Sequence, residues 1–246
     1  MNRKWKIILV ISLLGNLTIA YVGYKALKYR DHINYFLDKY THVVDEFSGR
    51  EVYEKANESL RTDYQIDSRI IFFGTQLIQN WDLGRYFPEY EAVNRGISGQ
   101  LVAGFPLRFR PDVIELSPGA VVIEVSSYNF RPNNSMKQIQ DYVADMTELA
   151  WAHCIVPVLT TVIPPRSDYS VFEHEDYAVK DSVVLYNQWL ISYAAANNFK
   201  YADFYQTVTG DDGFLRADLS VSRVDLNQHG YELISQVIRE ILRDSE

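Results

Sequence analysis

The sequence predicts an α/β domain, a parallel sheet covered by helices on both faces in three layers, preceded by one transmembrane helix. Three observations carry this. Short apolar runs of strand length (Ile70–Phe73, Val121–Val125 and Ile155–Val162) alternate with helical segments, the arrangement of parallel strands joined by crossovers. Ile7–Tyr24 contains no charged residue and is bracketed by Arg3, Lys4 and Lys6 and by Lys25, Lys28 and Arg30. In Arg69–Trp81, RIIFFGTQLIQNW, a buried-type strand runs through Gly74 into Leu77, Ile78 and Trp81 at helical spacing, so Thr75 and Gln76 fall at the carboxyl end of a strand.

Taken in order, residues 1–27 read as an uncleaved membrane anchor, because no Ala-x-Ala-like cleavage site follows the apolar run. Basic residues on both flanks favour a cytoplasmic amino terminus only slightly. Residues 28–62 read as a juxtamembrane helical stalk: Ile33, Leu37, Tyr40, Val44 and Phe47 recur at three- and four-residue steps, with an interruption at Ser48-Gly49. Such a stalk packs on the domain or lifts it off the membrane; a dimerising coiled coil is the sharper alternative. Residues 63–246 form the globular domain.

Charge narrows its partners. Of 24 basic residues, six lie in the first 30, where there is no acid, leaving 18 basic against 32 acidic residues, a balance of −14. A domain so acidic repels nucleic acid, and none is expected as a partner. The one cysteine, Cys154, opens the apolar run CIVPVL and is expected to be a buried structural thiol; it permits no disulfide framework and no cysteine-based metal site. No metal or cofactor is expected.

Within the domain, Ala92–Gln100, AVNRGISGQ, reads as a glycine-rich turn, followed by a short helix ahead of Arg110-Pro111. Met136–Trp151 is amphipathic, with Ile139, Val143, Met146 and Ala150 on one face. The strand Ile155–Val162 ends at Pro164-Pro165, and Arg166–Lys180, polar and aromatic without a clear period, reads as a loop over the strand ends. Val183–Asn198 is a helix, Lys200–Phe204 a short strand, and Asn227 caps a last helix whose buried face is Tyr231, Ile234, Ile238 and Ile241.

From Arg69 to Leu242 these segments resemble, block by block, the SGNH (GDSL-type) hydrolases, which implies their flavodoxin-like three-layer fold. The first family block is a strand, Gly-Asp-Ser and a helix often carrying a Trp; here the strand, Gly74 and Trp81 match, the Asp is Thr75 and the nucleophilic serine is Gln76. Gly96 matches the second-block glycine that offers a backbone N–H to the oxyanion. Aligning PGAVVIEVSSYNF on the third block puts Ser126 at its glycine, Tyr128 at its oxyanion-binding Asn and Asn129 at its Asp; Asn129 takes the amide position only if the turn slips by one residue. In SRVDLNQHGY, anchoring on Asn227, Gly230 and Tyr231 puts Ser222 at the catalytic Asp and Asp225 at the catalytic His. His229 sits four residues past that position and reads as a surface or capping residue.

Ester cleavage by that family needs a hydroxyl, an imidazole and a carboxylate, where this chain has Gln76, Asp225 and Ser222. The resemblance therefore implies a non-catalytic member. Thr75, Gln76, Gly96, Tyr128, Asn129 and Asp225 are the candidate ligand-binding set, suited to a glycan or a protein partner in cell-envelope or exopolysaccharide work, and the Asp225 charge favours neutral polyols over acidic sugars. One alternative is an active ester hydrolase built on Thr75 and His174; another is a structural membrane protein with a vestigial cleft.

Overall fold

The computed structural model describes residues 2–131, 134–168 and 173–243, with the side chains of 35, 36, 38–46 and 173–177 left aside. It divides into two compact units, Met1–Glu46 and Phe47–Glu246. The first is a helix, part of α1 (Arg3–Ser48), in which Arg3–Asn34 is long and apolar enough to cross a membrane. The predicted interruption falls where α1 ends, at Gly49, whose φ of 60° is the left-handed conformation that glycine adopts without strain. Tyr40 and Val44, which carry much of the proposed stalk stripe, lie outside the described side chains. Chain then returns to helix in α2 (Glu54–Leu60).

The second unit is built on a parallel five-stranded sheet of order β2-β1-β3-β4-β5, comprising β1 (Ile66–Gly74), β2 (Glu91–Gly96), β3 (Pro118–Ile123), β4 (Val156–Thr160) and β5 (Lys200–Ala202). The strands are continuous apolar runs because both faces are covered. Alternate residues serve opposite cores: Ile71, Phe73, Val121 and Ile123 pack under α5 (Phe105–Asp112), α6 (Met136–Ala152) and α7 (Glu173–Asn197). Ile70, Phe72, Ala120 and Val122 pack under α3 (Gln76–Gln79), α4 (Leu83–Tyr86), α8 (Phe204–Val208) and α9 (Gln228–Arg243). Trp81 lies between these layers, edge-on to Phe72 at 5.4 Å, and donates to Ser235 Oγ at 3.0 Å. This sheet order and its two helical layers are the predicted flavodoxin-like architecture.

Four expectations need correction. Ala92–Gly96 is not only turn but most of the edge strand β2, in register with β1 from Arg69↔Glu91 to Gly74↔Gly96; its Asn94 and Arg95 side chains are polar because they bond inward, which disguised the strand. Helix α7 begins at Glu173, inside the expected loop, since helix-compatible polar residues show no apolar period in its first turns. Helix α5 includes Pro111, tolerated in its last turn, where Asp112 is tied back to Arg108. Cys154 is exposed, in a left-handed turn (φ 61°) that closes α6 before the apolar run begins.

Candidate functional site

The sheet reverses its winding at β1, with β2 on one side and β3 on the other, and ligands of such sheets bind outside the carboxyl ends of the strands at that point. A cleft of about 470 Å³ opens there. Its floor is the end of β1 and the turn into α3. Gly74 is required by a close approach: a Cβ on it would stand 2.5 Å from the Glu124 carboxylate, which leaves the end of β3. Glu124 is 4% exposed and accepts from the Thr75 N–H at 2.7 Å and the Thr75 hydroxyl at 2.9 Å. Burial pushes its pKa up to about 7, against the opposing pull of the two Thr75 donors.

Gln76, the first residue of α3, stands at the centre of a hydrogen-bond chain. Ser98 Oγ donates to its Oε1 at 2.9 Å, and its Nε2 donates to Asp225 Oδ1 at 2.7 Å. The other carboxylate oxygen, Asp225 Oδ2, accepts from Ser222 Oγ at 2.5 Å. The Asp225 loop is held by α9, where Asn227 Oδ1 caps Gly230 N at 3.0 Å and Tyr231 donates to the Leu77 carbonyl at 2.9 Å.

Thr75, Gln76, Tyr128 and Asp225 are thus brought to one cleft. Tyr128 is 36% exposed on a 3₁₀ turn, Ser127–Phe130, whose Ser126 hydroxyl accepts the Tyr128 N–H at 3.3 Å. Asn129 points inward instead, accepting from Val102 N at 2.9 Å and donating to the Ser126 carbonyl at 3.0 Å; it fastens two cleft walls together from behind. Gly96 is also behind the lining: its N–H donates to Asn94 Oδ1, and an added Cβ would lie 2.2 Å from the Gln79 nitrogen. The glycine that lines the cleft is Gly99, at φ 76°, and its N–H has no partner among the described residues. Ser98, Gly99, Glu124 and Arg131 are lining residues that sequence reasoning missed. An acid inside the apolar run VVIEV was the available signal for Glu124. The His174 side chain lies outside the described residues, so its pairing with Thr75 has no geometry to report.

Under the cleft, Arg108 is fully buried and holds its frame. It donates to the carbonyls of Gly74 (3.0 Å) and Arg95 (2.9 Å), to Gln100 Oε1 (2.6 Å) and to Asp112 Oδ2 (2.9 Å). Asn57 of α2 joins in, donating to Asp112 Oδ1 at 2.6 Å and accepting from Arg95 Nε at 2.9 Å. Desolvation lowers the pKa of both arginines, and Asp112 opposes it in each.

Residues 64–233 match the model of the GDSL-like lipase/acylhydrolase family. The chain belongs to that family. A GDSL-like lipase from Bacteroides thetaiotaomicron superposes with a TM-score of 0.73 at 26% identity, over 81% of this chain and 100% of that one. A proposed acylhydrolase from Bacteroides fragilis gives a TM-score of 0.73 at 25% identity, over 81% and 98%. No curated protein sequence matches the chain. From sequence, the family resemblance sets Gln76, Asp225 and Ser222 at the positions of the nucleophile, the His and the Asp. All three are joined by hydrogen bonds in that order.

Proposed function

We propose that this protein is a membrane-anchored, non-catalytic member of the GDSL-like family whose cleft binds a glycan in cell-envelope or exopolysaccharide work. The domain then lies on the extracytoplasmic side of a single span. The observation that carries this reading is the Ser98–Gln76–Asp225–Ser222 chain. A primary amide is no nucleophile at neutral pH, and Asp225 already accepts a bond on each oxygen, so no proton acceptor faces a hydroxyl in the family's manner. Loss of triad members costs a factor on the order of 10⁴ to 10⁶. The cleft nonetheless remains open and lined with hydroxyls, amides and an aromatic ring, which suits a sugar better than a vestige.

A second reading has one observation behind it: the Thr75 hydroxyl lies 2.9 Å from Glu124, a carboxyl whose pKa of about 7 makes it a better base than an ordinary one. The purified full-length protein in detergent, assayed on short-chain acyl esters and acetylated oligosaccharides, separates the two. No turnover above background is expected. Turnover abolished by Thr75→Ala would replace the binding reading with hydrolysis.

A further inference from the structure

We infer that the ligand of this cleft is a sugar bearing a single carboxylate, read by Arg131 on the wall beside Tyr128. The inference rests on the glycan reading above and narrows it. From sequence, the charge on Asp225 favours neutral polyols. In the fold that charge is already answered, because Asp225 Oδ1 accepts from Gln76 and Oδ2 from Ser222. The second cleft carboxyl, Glu124, is buried on the floor, bound to Thr75 and half-protonated near neutral pH. Each oxygen of these two carboxyls therefore already has a donor.

Arg131 does present a charge. It is exposed, lines the cleft, and has no carboxylate within ion-pair distance among the described residues. Its guanidinium rests 5.2 Å from the centre of the Tyr128 ring, and that of Arg223 rests 5.8 Å from the same ring. Arg131, Arg223 and Tyr128 line one crevice adjoining the cleft. In a domain whose overall balance is strongly acidic, this places cationic groups at the entrance to a polar pocket.

Arginine's planar fork matches a carboxylate at two points. The cleft therefore favours a carboxylate, as in a uronic acid, over a neutral sugar.

Full-length protein in detergent is titrated by calorimetry with galacturonate, its methyl ester and galactose 6-phosphate. The wild type should bind galacturonate about tenfold or more tighter than the ester, one charge-assisted contact's worth, with affinity falling as salt rises. Arg131→Ala should erase that preference and its salt dependence without moving the melting temperature, and Arg131→Lys should restore part of it. Equal binding of acid and ester, or a preference unchanged in Arg131→Ala, overturns the inference and leaves the glycan reading standing. Tighter binding of the phosphate overturns the assignment to a carboxylate. Absence of binding to all three overturns the inference together with the glycan reading.

Discussion

Glu124 makes the stability of this fold fall as pH rises, and the fall can be sized. Its carboxyl is buried, and its pKa is raised from an ordinary 4.5 to about 7 with burial as the leading cause. The folded protein therefore holds a proton that the unfolded chain releases across that window, so the contribution is full below about 4.5 and is lost as pH climbs through about 7. A gap of about 2.5 in pKa, at about 1.4 kcal/mol each, comes to about 3–4 kcal/mol. Glu124→Gln keeps the size and an acceptor for Thr75 but cannot ionise. Denaturant titrations of wild type and variant from pH 4 to 8.5 give the difference in unfolding free energy, in which the other titrating groups cancel. The wild type should lose about 3–4 kcal/mol relative to the variant between the two ends of the window. A flat difference, or a wild type that gains on the variant as pH rises, would refute the reasoning. A flat difference would show that the Thr75 donors balance desolvation, and a gain that they outweigh it.

Three further perturbations test the hydrogen-bond chain and the buried ion pair. The triple variant Gln76→Ser, Asp225→His, Ser222→Asp sets a hydroxyl, an imidazole and a carboxylate along the present hydrogen-bond chain. It should raise hydrolysis of short acyl esters by about 10²-fold or more over wild type, checked with a chromogenic acetate ester. Asp112→Ala removes the carboxylate that answers Arg108, both groups being fully buried, and should cost about 3–5 kcal/mol in denaturant unfolding. Arg108→Met with Asp112→Leu should cost less than the sum of the single changes.

Much of the fold was legible because the strands are buried on both faces and carry uninterrupted apolar runs, as in IIFF and VVI. The edge strand β2 was not, since Asn94 and Arg95 spend their polar groups on backbone carbonyls and on Asn57, contacts without a sequence period. In the site, Thr75, Gln76 and Asp225 were legible because strand ends and a capped helix fix where such residues emerge. Gly96 and Gly99 stand three apart in one turn, and sequence gives no means to tell them apart. Only the crowding of Gln79 against the first and the positive φ of the second distinguish their roles. Asn129 turned inward because the backbone N–H of Val102, far along the chain, needed an acceptor. Arg108 and Asp112, charged residues four apart on a helix, are wholly enclosed, and no apolar period in the sequence marks that.

The chain from Ser98 to Ser222 also bears on which sequences lie within reach of this one. Its members satisfy one another, so a change at one link strands its neighbours: Gln76→Ser alone takes the donor from Asp225 and the acceptor from Ser98. Asp225→His alone sets an imidazole between an amide and a hydroxyl, with no carboxylate to orient it. Stepwise passage toward a serine hydrolase therefore crosses intermediates that are less well bonded than the start and no better at catalysis. Such a constellation resists drift one substitution at a time, because each link is held by the hydrogen bonds of its neighbours.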